Sequence, residues 1–450
     1  MSNKNLSRRD FLRASAVAAS GAALAGTVPG AFAAPPAQDG VAIQFWTFWS
    51  QYGAATEAFL PALNEFVAPN TVDITVGVSG DEAFLPAVAA GTPPDIGTGV
   101  HYADFMANGQ VAPIADLVAA SEIIKAEFFP APAWDGTFWD GVQYGISGIE
   151  AFVRRGLNYN ARMVEEAGLD PDAPPETWDE LLVWHQALTK FDDAGNLVQF
   201  GLDPYDAEGG LFAAHDGSFQ AESWGFEWWD PETKTFNLNN EMMAESFDVL
   251  GEFVKIIGPD NLANLRLDTA MGTWGASYNA QVQAMIIEGY WHPGETANLQ
   301  PEVSEVNRAS WVPVPESRRG AKLQLAGGHM VFCFNNAVNP AVVAFPVGEF
   351  LNTAEHCNPV FELIGWLPNY TPYLETVDPS VYPGLQFYFD SLSEATELWG
   401  ITRMETMSFI ERKHREVRER HYRGELTGAQ AAEEMQVQAE LNWEESGFGS

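Results

Sequence analysis

Aromatic rings and polar groups at the ends of strand-like runs are the residues of this chain best suited to chemistry with a ligand. Trp46 and Trp49 stand three apart at the end of an apolar run, so both cannot alternate into one core face. An indole face left outside a core stacks well on the C–H surface of a pyranose ring. His101 follows the third strand-like run beside Asp104, and Tyr205 and Asp206 follow another at 199–202. Each supplies donors or acceptors that can orient hydroxyl groups. His185 falls on the apolar side of a helix and is expected to be a satisfied core histidine. Trp224, Trp228 and Trp229 crowd an acidic loop, where at least one belongs to a core.

Covalent chemistry has no comparable support. The chain contains no Gly-x-Ser-x-Gly elbow, phosphate-binding loop, His-Glu-x-x-His or Cys-x-x-Cys pair. Its many carboxylates and tryptophans imitate a glycoside hydrolase, in which two carboxyl groups flank the scissile bond. An acidic composition makes such pairs common by chance. The spacing of His101, His292 and His329 shows no metal set, and no metal or cofactor is expected. Cys333 and Cys357 are the only cysteines and are expected to be buried free thiols.

Charge and the amino terminus bound the partners and the compartment. With 61 acidic and 23 basic residues the formal charge is −38, which repels nucleic acid and anionic lipid. Arg412, Lys413, Arg415, Arg418, Arg420 and Arg423 interleave with Glu411, Glu416 and Glu419, the pattern of a solvated helix laced with ion pairs. Ser7-Arg8-Arg9-Asp10-Phe11-Leu12-Arg13 is a twin-arginine export motif, followed by an Ala/Gly-rich run too short to span a membrane. Ala31-Phe32-Ala33 offers small residues for cleavage, with no cysteine nearby for a lipid anchor. Residues 1–33 are thus expected to be a twin-arginine signal peptide, and the remainder periplasmic or extracellular without a lipid anchor.

The 450 residues suffice for two or three domains, and 46% apolar content supports real cores. Strands are expected at 41–48 and 72–78 and from Ile96, with helices at 55–67 and 84–90. Strands alternating with helices predict a parallel sheet whose ligands bind at the carboxyl ends of the strands. Residues 157–182 read as strand, helix, proline-stiffened turn and helix. Asn160 caps the first helix, Gly168 closes it, and Pro174-Pro175 forbid continuation. Thr177 and Glu180 form a capping box before an apolar face of Trp178, Leu181, Leu182 and Leu188.

That segment closely resembles the YN-x-x-x-x-EEAGLDP-x-x-PPxTWDEL stretch of the extracellular solute-binding proteins of carbohydrate ABC importers, maltodextrin-binding proteins included. Ala90-Gly91-Thr92-Pro93-Pro94-Asp95-Ile96 resembles the family's G-x-x-PD turn. Asp140-Gly141-Val142-Gln143-Tyr144-Gly145-Ile146 resembles its DGKxYGxP segment, with Ser147 where proline is usual. Gln283-Ala284-Met285 through Gly289-Tyr290-Trp291 resembles its AM-x-x-x-G-x-W signature. Leu325-Ala326-Gly327-Gly328-His329 resembles its glycine turn, residues 339–351 the helix after it, and Gly365-Trp366-Leu367-Pro368 the late G-x-LP turn.

The resemblance implies an α/β protein of the two-lobed periplasmic-binding-protein type II fold. Each lobe would be a mainly parallel sheet flanked by helices, with three interlobe crossings near 150–153, 326–331 and 372–380. The lobes it implies are 34–151 with 330–375, and 152–329 with 376–450. A sugar or oligosaccharide would sit between them against Trp46, Trp49, His101, Glu150, Tyr205, Asp206, Trp291, Gly327, Gly328, His329 and Trp366. Trp291 would be the stacking aromatic and Glu150 a polar group at the first crossing. Arg154 and Arg155 would offset local acidity. The partners implied are a carbohydrate and an ABC permease with its ATPase, for a monomeric, non-enzymatic receptor. The alternatives are a secreted glycoside hydrolase and a binder of a polyol or sugar phosphate.

Overall fold

A computed structural model describes residues 40–47, 49–78, 80–99, 103–205, 216–268, 276–335, 337–401 and 403–448. The leader at 1–33, His101 and Asp206 lie outside the described residues. The chain begins β1 (Ala42–Trp46), α1 (Gly53–Phe66), β2 (Thr71–Thr75), α2 (Gly80–Ala89), β3 (Ile96–Gly99) and β4 (Gly145–Ser147). It continues β5 (Gly156–Asn160), α3 (Ala161–Glu166), α4 (Trp178–Leu188), β6 (Lys190–Phe191), β7 (Leu197–Leu202), α5 (Glu241–Ile257), β8 (Gln283–Glu288), α6 (Trp291–Leu299) and β9 (Asn307–Ser310). The last part holds β10 (Leu323–Leu325), β11 (Met330–Cys333), α7 (Ala341–Phe350), α8 (Ala354–Ile364), α9 (Leu385–Glu394), β12 (Glu397–Trp399), α10 (Met407–Tyr422) and α11 (Gly428–Glu445), with shorter elements between.

Two five-stranded sheets form, ordered β2-β1-β3-β11-β4 and β9-β5-β8-β7-β6. The first takes its strands from before residue 148 and from 330–333, and the second only from 156–310, so the chain leaves the first sheet and later returns to it. The sheets are mixed rather than mainly parallel. β1 pairs in parallel with β2 and β3, but β11 runs antiparallel to both β3 and β4 because it re-enters from the second sheet. In the second sheet only β8 and β7 are parallel.

Local chemistry explains the elements that frame the junction. Ile43 and Phe45 of β1 point into a core shared with Ala55, Phe59 and Leu63 of α1, whereas Trp46 points the other way. Asn160 accepts the Met163 N–H bond at 3.2 Å and so caps α3, and Gly168 closes that turn with φ +77°. Thr177 accepts from the Glu180 N–H at 3.3 Å, but the Glu180 carboxylate takes the Glu176 N–H at 2.9 Å rather than that of Thr177. The reciprocal capping box occurs instead at Thr427 and Gln430 of α11. Trp178, Leu181 and Leu188 are buried, Leu182 is half-buried, and His185 accepts from Leu202 N–H at 2.9 Å in the same core. Burial pushes the His185 imidazole down to about 4, as expected of a satisfied core histidine.

Helices α7 and α8 pack on the first core, and α10 and α11 on the second beside α5. Both cysteines are buried and free, and burial pushes both thiols up. The arginine-rich α10 is only partly the solvated helix expected. Arg420 and Arg423 pair with Glu434 and Asp260 at the surface, but Arg418 is buried over the Tyr205 ring. No helix among the described residues is long and apolar enough to cross a membrane.

Candidate functional site

Between the sheets the chain runs as neighbouring extended segments. Val153 bridges Ala326 antiparallel, Tyr290 N–H donates to Val153 O at 3.1 Å, and Ala326 N–H donates to Trp399 O at 3.0 Å. Glu150 opens the first of these segments with φ +52°, a left-handed conformation that costs a non-glycine residue about 1–3 kcal/mol. Gly327 has φ +119°, which a side chain would resist. Gly328 is required for another reason, because a Cβ there would meet Arg154 Nη1 at 2.9 Å and Glu150 O at 3.1 Å.

A circuit of contacts closes over this junction. The Trp49 ring, from the end of β1, meets His329 edge-on at 4.4 Å and Trp366 at 5.2 Å. His329 Nε2 lies 3.3 Å from Glu150 Oε2. Glu150 accepts two bonds from Arg154 Nη1 at 3.2 and 3.1 Å, and the Arg154 guanidinium lies 4.6 Å from the Trp291 ring centroid. Trp291 opens α6, one turn ahead of Glu295, which accepts the Trp366 indole N–H at 2.6 Å. Five distant stretches of chain therefore meet at one place, and every member is at most 6% exposed.

The sequence-predicted residues divide clearly. Trp49, Glu150, Trp291, Gly327, Gly328, His329 and Trp366 are brought together. Trp46 is not; it lies on the opposite face of β1 against Phe84 at 5.9 Å. Tyr205 is buried in the second core under Arg418 and near Tyr422, away from the circuit. Sequence reasoning missed Glu295, and it valued Arg154 only as a local counter-charge. Gly289 is also necessary, since a Cβ there would come within 2.0 Å of the Trp291 ring.

Buried carboxylates set the electrostatics. Burial, then the Glu288 and Glu150 charges, hold the Glu295 carboxyl well above the usual range, against the opposing bond from Trp366. His292 Nδ1 lies 2.6 Å from Glu288 Oε2, and burial pushes its imidazole down to about 3. A raised carboxyl pKa means the folded state holds a proton that the unfolded chain releases above about pH 4.5. That residue's contribution therefore falls as pH rises through the window up to its folded value. Glu295→Gln keeps an acceptor for Trp366 and cannot ionise. Urea unfolding should find it increasingly more stable than wild type between pH 4.5 and 7.5; a gap that stays constant or narrows would refute this assignment.

A separate cavity of ≈ 580 Å³ is lined by Pro132, Trp139, Trp229, Lys234, Gly400 and Arg403, among others. A Cβ at Gly327 would meet Ala133 at 3.6 Å, next to the cavity-lining Pro132. No cluster of three or more His, Cys, Asp or Glu among the described residues could hold a metal. The rings, carboxylates and imidazole of the circuit are packed against one another, whereas the cavity presents aromatic and polar groups, Trp139, Trp229, Lys234 and Arg403 among them.

A family model described as "Bacterial extracellular solute-binding protein" matches residues 49–354. Curated protein sequences give no match. Solved structures agree in fold. CpMnBP1 with mannobiose bound aligns at TM-score 0.74 and 17% identity, covering 89% of this chain and 99% of that one. The maltose/maltodextrin-binding domain MalE of Bdellovibrio bacteriovorus, bound to maltotriose, aligns at 0.68 and 18%, covering 90% and 100%. An ABC transporter solute-binding protein of Thermotoga lettingae, bound with α-D-tagatose, aligns at 0.70 and 17%, covering 88% and 99%.

Proposed function

Because this chain belongs to the bacterial extracellular solute-binding protein family, we propose that it is the sugar-capturing receptor of an ABC importer. It binds a sugar or oligosaccharide between two lobes and delivers it to the permease and ATPase. The lobes are 34–151 with 330–375, and 152–329 with 376–450. Residues 1–33 direct twin-arginine export, and the mature receptor works outside the cytoplasmic membrane as a monomer without a lipid anchor. It catalyses no reaction.

The observation that carries this reading is the circuit joining Trp49, Trp366 and Trp291 to Glu150 and His329 at the junction of the sheets. Opening of the junction would free aromatic faces for stacking on a pyranose, and the carboxylate and imidazole to fix hydroxyl orientation. Relatives of the same fold are described with mannobiose, maltotriose and α-D-tagatose bound, which supports a neutral carbohydrate here. Lobe closure would exclude water and strengthen each polar contact.

A panel titration tests it. Mannobiose, maltotriose and tagatose should include at least one ligand that saturates a tryptophan emission change with one site per chain. Absence of any response across mono- and oligosaccharides, polyols included, would refute a carbohydrate receptor.

A further inference from the structure

The cavity of ≈ 580 Å³ has a chemistry of its own. Its volume falls in the range of small-molecule pockets, about 300–1,000 Å³. Two β-hairpins that pack on different cores each supply an indole. Trp139, in the hairpin of 138–139 with 142–143, packs half-buried on the cluster of Phe84 and Phe332. Trp229, in the hairpin of 229–230 with 235–236, lies in the second core against Phe236 and Trp443. An occupant would touch both hairpins.

The carboxylates of the same lining say what that occupant carries. Glu405 is 9% exposed, and its carboxylate accepts no hydrogen bond among the described residues. Its one ionic contact among them is Lys234 Nζ, 3.7 Å from Oε1 and beyond hydrogen-bond length. A buried carboxylate short of donors is costly, and a ligand ammonium would supply them. Asp135 and Asp140 are exposed at the same cavity, and their carboxylates likewise have no partner among the described residues. The other cation of the lining, Arg403, lies against Gly136, where any Cβ would collide with its guanidinium. Three carboxylates therefore face two cations, in a chain whose formal charge of −38 draws cations from solution. The three do not converge on one point, since no group of three or more His, Cys, Asp or Glu among the described residues could hold a metal ion. Spread carboxylates beside indole faces suit an extended organic cation, whose ammonium donates to oxygen while its C–H body lies on the rings.

We propose that this cavity is a second ligand site, for a primary ammonium on a C–H-rich body, with Glu405 the buried acceptor and Trp139 and Trp229 the walls. It stands whatever solute the junction takes. Lys234 repels a second cation at the same carboxylate, so removing its charge strengthens binding. Polyamines and aminated sugars share this chemistry.

Isothermal titration of the full mature chain separates them, with spermidine and glucosamine as probes and N-acetylglucosamine as the uncharged control. At least one amine should bind at one site per chain, and N-acetylglucosamine should not compete for it. Saturation by spermidine alone would mark a linear polyamine, and by glucosamine alone an aminated sugar. Glu405→Gln should weaken that site about ten-fold or more. Glu166→Gln removes the same charge from an exposed position on α3 and should leave the site unchanged. Lys234→Met alters a side chain that is 53% exposed, so it keeps the test open should the Glu405 variant fold poorly. It should tighten binding about three-fold. No saturation by either amine, or equal losses from Glu405→Gln and Glu166→Gln, would overturn the proposal and leave only the general acidity of the surface. Displacement of the bound amine by a saturating neutral sugar would overturn it by making the cavity part of the solute's own site. The amine titrations read the same if every neutral carbohydrate fails to bind, so the two readings fail separately.

Discussion

Replacing Arg155 with alanine is expected to cost about 3–5 kcal/mol of folding stability, because it strands a buried carboxylate. Arg155 is fully buried, and its Nε and Nη2 donate to the two oxygens of Glu222 at 2.6 and 3.0 Å. The guanidinium also lies 5.3 Å from the Phe219 ring centroid. Its backbone N–H donates to Gln324 Oε1 at 2.8 Å, and Gln324 Nε2 returns a bond to Arg155 O at 2.9 Å and another to Ser391 Oγ at 2.8 Å. One residue thus ties the segment between the two sheets to the helix bearing Glu222, to β10 and, through Gln324, to α9. Arg155→Lys should rescue little, since an ammonium cannot reproduce the paired geometry. Replacing the pair together, Arg155→Met with Glu222→Leu, should recover most of the loss. Urea unfolding checks all three; a loss below about 1 kcal/mol for Arg155→Ala would contradict the assignment.

Trp49→Ala should weaken solute binding about 100-fold, equivalent to ~2.7 kcal/mol, whereas Trp46→Ala should change it less than about three-fold, within ~0.7 kcal/mol. The contrast follows from where the rings pack: Trp46 ends β1 half-buried against Phe84, and Trp49, three residues beyond the strand, is buried in the first core. Trp49 braces both His329 and Trp366, while Trp46 packs on Phe84. Trp49→Phe should recover part of the affinity because a smaller ring still meets its neighbours edge-on. Circular dichroism establishes that each variant is folded before titration. Equal effects at positions 46 and 49 would contradict the circuit as the binding element.

Much of this is legible in the sequence where local chemistry decides. Asn160, Gly168 and Thr177 cap and close their helices from side-chain type alone. The Trp46 and Trp49 spacing shows that the two rings cannot share one core face, but only the packing sets Trp49 in the first core beside Trp366 and leaves Trp46 half-buried on Phe84. Strand direction is less legible, because β11 enters from the far sheet and no local pattern encodes its antiparallel fit. Arg418 reads as surface charge in an alternating run, yet the second core closes over it with Tyr205. Arg154 and Glu295 gain their meaning from residues more than 70 positions away in sequence, Trp291 and Trp366, so spacing cannot announce them.

Isothermal titration of the full mature chain with the best-binding oligosaccharide, followed by chromatography of the recovered sugar, tests the central claim most directly. One site per chain, a negative heat-capacity change from buried apolar surface, and sugar recovered intact are predicted. Release of new reducing ends, lost in Glu150→Gln, would make the protein a glycoside hydrolase and contradict the receptor account.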